Sequence, residues 1–513
     1  MALLLHSSRM SLRSPQARVT YRSLSHSVHG NSIDLYNYTS GRWLWDEERQ
    51  LMARQKWFNV KALATAAADV KGAGSCTAIT KIADGDHSRV LRLLLDNEES
   101  VVVRIPYPRQ PDATSSIKSE VAVMSFVEEV LGVPVPRPLL WEPTADNPVG
   151  SEYLMMEEAQ GSSLYDSWHL KNIEKKTKII DQLVSIQTAL ASTDFAAHGS
   201  LYFSAEAPKG SLDVPPVTTV LDSKGEMLAA RYRIGPLADL DRYRARSPDR
   251  GPWCTARDWL KAIAENQISH LDAHSKWSKK PNQYNDARRD LYQKLIHLSG
   301  MSTMHQGDCL PRLWHGNNFS PHNIFITDDR VTSITGWRGS TIGPLPFLAT
   351  YPYYMEHDGP HVYDLPPDYL TDERQGWRLG SAWHATMVSL IYDQKLELRS
   401  PMLHQVLHSP LYPILRRLAM FASWNSSHPG FMFGCMVELT QRWNEFSSVE
   451  CPIECTWDEA ERYFSDLDRW NLLTDKWEQV MEMISKDGYT SNEDYDEARK
   501  AFFGGSFYSC RVT

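Results

Sequence analysis

Between Cys76 and Ile105 the chain alternates apolar and polar residues in three short runs separated by two turns. Cys76 to Ile82, Val90 to Leu95 and Val101 to Ile105 each suit a strand, while Asp84-Gly85-Asp86-His87-Ser88 and Asn97-Glu98-Glu99 suit the turns between them. The run predicts a β-meander. Because side chains alternate across a strand, Val101, Val103 and Ile105 share one face and Val102 and Arg104 the other. Pro106 to Pro111 breaks the pattern, and Ser115-Ser116 opens a helix with Ile117, Val121, Met124 and Leu131 on one side and Gly132 as its stop. Glu120 flanks that stripe, a position expected to be solvated unless a cation faces it.

Tyr153 to Met156 reads as another strand, running into the polar, hinge-like linker Glu157-Glu158-Ala159-Gln160-Gly161. The remainder is mainly helical. Thr456-x-x-Glu459 is a capping box for a helix carrying Leu473, Trp477, Val480, Met481 and Ile484 on one face, and Thr490-x-x-Glu493 predicts a final helix. The expected class is α+β and bilobal, a small β-rich N-terminal lobe followed by a large, mainly helical C-terminal lobe.

Composition narrows the partners. A net charge of -9 argues against nucleic acid, whose phosphates would repel the chain. No apolar run reaches the roughly 18 residues that span a bilayer. The 17 Trp and 22 Tyr predict an aromatic-rich core. The seven Cys lack the spacing of a disulfide framework, although Cys451 and Cys455 are close enough in sequence to pair or to share a metal. Residues 1–33 hold Arg9, Arg13, Arg18 and Arg22, many Ser and no acid, which is the composition of a mitochondrial transit peptide; Arg22-Ser23-Leu24-Ser25 suits processing after Leu24.

The stretch Leu313-Trp314-His315-Gly316-Asn317-Asn318-Phe319-Ser320-Pro321-His322-Asn323-Ile324-Phe325-Ile326 is followed by the turn Asp328-Asp329-Arg330, the strand Val331 to Ile334 and the loop Thr335-Gly336-Trp337. Loop, strand, turn, strand, loop sets two loops side by side, as in the phosphate-transfer region of kinases. His404 and His408 stand at helical i,i+4 spacing without a third metal ligand in view.

With Val103-Arg104-Ile105-Pro106, Ser119-Glu120-Val121-Ala122, Gly132-Val133-Pro134-Val135-Pro136 and Asp146-Asn147-Pro148-Val149-Gly150 in the same order, the chain from about Lys56 to Trp477 resembles the aminoglycoside phosphotransferase and choline kinase-like family. The resemblance implies a protein-kinase-like fold and ATP as the nucleotide. Arg104 would reach its phosphates and Glu120 would pair with Arg104. Asp84 to Arg89, including Gly85 and Ser88, would form the nucleotide loop, and Met156 to Ala159, including Glu157, would contact the adenine. Asn323 would be an amide ligand of the metal.

The departures fall on the acids. The family's loop reads His-x-Asp-x-x-x-x-Asn. Two residues after His315 stands Asn317, and five before Asn323 stands Asn318; the interval is one residue too long. Where the second loop has Ile-Asp-Trp, this chain has Thr335-Gly336-Trp337. An amide cannot accept a hydroxyl proton as a carboxylate does, and Mg²⁺ is ordinarily held through carboxylates, so Mg²⁺ is disfavoured.

Three functional readings stay open: a mitochondrial kinase-like protein impaired in catalysis that acts by binding a nucleotide, a small molecule or a protein partner; an active ATP-dependent small-molecule phosphotransferase using a relocated carboxylate such as Asp308, Asp328 or Asp329; and a nucleotide-binding enzyme doing other transfer chemistry in an altered cleft, such as nucleotidylation. The expected organisation is a transit peptide over 1–33, an N-terminal lobe over 56–158, a helical lobe over 159–487 and a C-terminal helix and tail over 488–513.

Overall fold

The structure, a computed structural model, describes residues 24–27, 33–108, 112–213, 228, 230–238, 249–275, 283–300, 307, 309–316, 318–357, 359–366, 373–423, 428–445, 447–464, 483–485 and 487–504. Residues 1–23 of the expected transit peptide, Asp308, Asn317 and the apolar face Leu473 to Met481 lie outside the described residues. The described residues divide into two compact units. The first takes its members from 1–110, 144–155 and 466–513, the second from 111–143 and 156–465.

The first unit contains β1 (Leu24–Ser27), β2 (Gly41–Trp43), β3 (Cys76–Asp84), β4 (Ser88–Leu95) and β5 (Ser100–Pro106). β6 (Pro138–Glu142) belongs to the second unit, and β7 (Tyr153–Glu157) runs from the first into the second. β1, β3, β4, β5 and β7 are successive neighbours in one sheet, antiparallel from β1 through β5. The expected meander is present. Alternation along β4 turns Arg89, Leu91, Leu93 and Leu95 inward, and a register shift between Lys81 and Ala83 brings Lys81 and Asp84 onto one buried face. The strand therefore extends past Ile82 to Asp84, which lies opposite Arg89 across the ladder.

Two helices precede the meander. α1 (Glu47–Arg54) follows β2, and α2 (Val60–Lys71) is capped by Asn59, whose side chain accepts from the Ala62 N–H, and ended by Gly72 at φ 63°. The unit is closed from the far end of the chain: β15 (Tyr489–Ser491) pairs with β2, the Trp43 indole donates to Asp487 at 3.0 Å, and Leu44 N donates to the Gly488 carbonyl at 2.9 Å. Here the expectation of a helix beginning at Thr490 is corrected. The backbone of residues 489–491 is taken by the ladder, and the helix Tyr495–Gly504 begins after Asp494, whose N–H is capped by the Ser491 hydroxyl.

In the second unit α3 (Ala113–Glu129) starts where Asp112 accepts from Ser115 N at 3.0 Å. Glu120 is buried on α3, not on a solvated flank, because Ser116, Ser119 and Val123 are buried beside it as well. α4 (Leu164–Ser167) follows β8 (Ser162–Ser163), and α5 (Ile173–Ser192), capped by Asn172, packs on the long helix Glu373–Arg399. Asp181 of α5 receives Arg399 of that helix at 2.9 Å. β9 (Ser200–Phe203) and β10 (Tyr232–Gly235) form an antiparallel pair. The helix Trp457–Phe464 has the expected capping box, with Thr456 N donating to Glu459 at 2.8 Å. Cys451 and Cys455 are separate free thiols, half-buried, and burial raises both pKa values.

Candidate active site

Two antiparallel pairs in the second unit set the loops. β11 (Pro311–Trp314) pairs with β14 (Thr341–Pro344), with Trp314 opposite Thr341. β12 (Ile324–Thr327) pairs with β13 (Arg330–Ile334), with Ile324 opposite Ile334. The segments 315–323 and 335–340 must then run side by side, and Thr335 N donates to the Asn323 carbonyl at 2.8 Å.

His315 fastens one loop to the other. Its ring is 1% exposed, stacked on Phe319 and edge-on to Trp337. Phe319 N–H donates to Nδ1, so Nε2 carries the proton and donates to the Thr335 carbonyl at 2.9 Å. Burial pushes its pKa down to about 4 against the opposing effect of the Thr335 bond. With its lone pair occupied and no solvent contact, His315 holds backbone and does not move protons.

Asn318 and Phe319 are successive left-handed residues, with φ 43° and 57°. They coincide with the one-residue lengthening of this loop. The Asn318 carboxamide is used up inside the fold: Oδ1 accepts from the Trp314 indole at 3.0 Å, and Nδ2 donates to the carbonyls of Thr350 at 2.9 Å and Tyr351 at 3.1 Å. Asn317 lies outside the described residues.

Gly336 has φ 77°, and a Cβ added there would lie 2.7 Å from Cγ of Asn323. The Asn323 carboxamide thus fills the space that a side chain at 336 would need, and its Oδ1 accepts from the Thr335 hydroxyl at 3.2 Å. Asn323 and Gly336, the two expected metal-loop positions, are brought together, but what they present is one neutral amide. Segments 315–326 and 335–346 contain no Asp or Glu. Asp328 and Asp329 occupy the β12–β13 turn at φ 50° and 60°, and Asp329 is paired with Lys171 at 2.7 Å. Among the described residues no group of three or more His, Cys, Asp and Glu side chains converges as a metal site.

The other expected site residues are distributed over both units. Gly85, Ser88 and Arg104 are partly exposed in the first unit, and Gly85 N donates to the Ser88 carbonyl at 2.9 Å in the β3–β4 turn. Asp84 is 1% exposed and faces the core, held by Arg89 at 2.9 Å, Lys81 at 2.8 Å, the Tyr107 hydroxyl at 3.0 Å and Thr39 N at 3.0 Å. Burial alone would raise its pKa; the two cations outweigh that and lower it. Glu120, Glu157 and Ala159 belong to the second unit, where Glu157 N donates to the Arg137 carbonyl at 2.9 Å. The linker after Ala159 is tied to the loop hairpin: β8 pairs with β12, and Gly161, at φ 96°, lets the chain pass against the Ile326 carbonyl. Both nitrogens of His408 are engaged within the protein, Nε2 with the Tyr351 hydroxyl at 2.9 Å and Nδ1 with the His404 carbonyl at 3.0 Å.

Thr335, Thr350, Tyr351 and Gly161 carry structural roles at this site that sequence reasoning did not assign. Gly161 was visible as a glycine closing a polar linker; Thr350 and Tyr351 carry no local pattern.

Residues 78–346 match the model of a family described as the phosphotransferase enzyme family. The chain is similar to altered inheritance of mitochondria protein 9, mitochondrial, of Yarrowia lipolytica, with 25% identity over 88% of this chain and 84% of that protein. It is also similar to a subtelomeric hrmA-associated cluster protein of Aspergillus fumigatus, with 23% identity over 82% of this chain and 91% of the relative. Among solved structures, aminoglycoside phosphotransferase APH(4)-Ia aligns with 14% identity and a TM-score of 0.37 over 80% of this chain and 97% of that one. With the family model covering more than half of its length, the chain belongs to the phosphotransferase enzyme family.

Proposed function

We propose that this chain is a mitochondrial, kinase-like member of the family that binds a nucleotide or small molecule and is impaired in phosphoryl transfer. The observation that carries the reading is the Asn323–Gly336 contact: the volume required by an acid at 336 is occupied by the Asn323 amide, at 2.7 Å from where a Cβ would stand. A Mg²⁺ ion bridging nucleotide phosphates is normally anchored by one or two carboxylates, and these loops offer none. Loss of a general base costs roughly 10²–10⁴ in rate, and loss of the metal acts on the same transition state, so the two do not simply multiply. The mitochondrial part draws on the Arg-rich, acid-free residues 1–33 and on the similarity to a mitochondrial protein of Yarrowia lipolytica.

A thermal-shift titration with ATP, with and without Mg²⁺, tests the reading. A ligand that binds the folded chain stabilises it by RT ln(1 + [L]/Kd). The expected result is stabilisation by ATP that Mg²⁺ does not enhance, with negligible phosphate transfer to hydroxyl acceptors. Fast Mg²⁺-dependent turnover that is lost on Asp308→Asn or Asp328→Asn would instead establish an active enzyme with a relocated carboxylate.

A further inference from the structure

Beside the loop just described, a second group of polar side chains comes together from four separate elements. Lys176 of α5 is 7% exposed, and its ammonium lies 5.1 Å from the centre of the Trp168 ring. Among the described residues no carboxylate or hydrogen-bond acceptor meets it, and burial alone accounts for the lowering of its pKa. Tyr354 packs edge-on against the same Trp168 ring at 5.2 Å. Its hydroxyl, the hydroxyl of Ser167, the residue before Trp168, and Nδ1 of His384 are all buried without a hydrogen-bond partner. His384 projects from the helix Glu373–Arg399 and feels the Lys176 charge.

Such an arrangement is costly for a protein with nothing to put in it. A buried charge is normally paired, and a buried hydroxyl normally bonded. An aromatic face attracts an ammonium but offers no strong acceptor to its three N–H donors. Ammonium, phenol and serine hydroxyl can all donate, as can an imidazole with its proton on Nδ1. A set made up of donors around one uncompensated positive charge is the complement of an oxyanion.

The cluster also adjoins the phosphate-transfer region. Tyr165, on α4 with Ser167, stacks on His322 with ring centres 3.8 Å apart, and the Ser163 hydroxyl donates to the Pro321 carbonyl at 3.2 Å. We propose that Ser167, Lys176, Tyr354 and His384 form the binding site for the anionic group, a carboxylate or a phosphate ester, of the small molecule that this protein holds. Assigning the group to that molecule rests on the ligand-binding reading above; anion binding itself is independent of nucleotide and is tested without it.

The test is thermal denaturation of the full chain in sodium phosphate and in sodium acetate, each against sodium chloride of equal ionic strength. For the unsubstituted chain, phosphate, acetate or both raise Tm above the chloride control. A response to phosphate alone identifies a phosphate-bearing ligand, and a response to acetate a carboxylate. Lys176→Met removes the uncompensated charge, so in chloride its Tm equals or exceeds that of the parent, while its affinity for the anion falls about tenfold to a hundredfold. Tyr354→Phe weakens the response several-fold with little change of Tm in chloride. The proposal fails if neither anion acts beyond chloride, or if Lys176→Met keeps the response. A Lys176→Met chain less stable than the parent in chloride also overturns it, because the ammonium would then be a structural partner of Trp168.

Discussion

The Asn318 amide makes one acceptor bond and two donor bonds to backbone carbonyls, so its nitrogen cannot be exchanged for oxygen at no cost. Asn318→Asp would set a carboxylate oxygen against the carbonyls of Thr350 and Tyr351. A destabilisation of about 1–3 kcal/mol is expected in urea unfolding, with no gain of phosphotransferase activity; unchanged stability together with new activity would refute the geometry. His315 and His198, the latter 1% exposed and bonded through its backbone to Trp253 just before β9, make a second residue-level prediction. Burial lowers both pKa values to about 4, so the folded state keeps them neutral while the unfolded chain protonates near 6.5. Their contribution is complete above pH 6.5 and declines as pH falls toward 4, by about 2 kcal/mol per histidine at pH 5. Denaturant midpoints at pH 7 and pH 5 measure it, and a flat profile would count against neutral, buried rings.

At the scale of elements, the meander and the helix after Pro111 were legible because alternation and helical periodicity are local, although that helix starts at Ala113 under an Asp112 cap and not at Ser115-Ser116. The missing acids at 317, 318 and 336 were legible for the same reason. What local pattern could not show is why Asp84, placed by its neighbours in a turn, ends in the core: its partners Thr39 and Tyr107 are 45 and 23 residues away. Nor could it show Asn323 filling the space beside Gly336, which needs two hairpins to be folded at once. The Asp84 network yields its own prediction. Asp84→Asn would leave Lys81 and Arg89 as buried cations without a counter-charge, at a cost of about 3–5 kcal/mol in unfolding free energy. A loss under 1 kcal/mol would mean that the carboxylate does not hold them.

At the scale of the whole molecule, the expected N-terminal lobe ran over 56–158 with one helix inside it, whereas the first compact unit takes residues from 1–110, 144–155 and 466–513, and that helix, α3, falls in the second. Chain reversal over that distance has no signature in a window of ten or twenty residues, and the Thr490 motif, locally a helix start, is overridden by pairing with β2. Targeting is also a property of the whole molecule. A reporter fused after Ser40 is expected to be recovered with mitochondria; recovery in the cytosol would remove that part of the proposal.

The contact between Trp43 and Asp487 spans 444 residues, and this sets a clock for biosynthesis. A chain delivered N-terminus first, from a ribosome or through a translocation pore, presents β2 long before β15 exists. For that interval the edge of β2 and the aromatic face of Trp43 are open to chaperones and to wrong partners. Completion of the first unit thus waits for the synthesis of Asp487 and β15, and a ribosome stalled anywhere before Asp487 would carry an unsealed product.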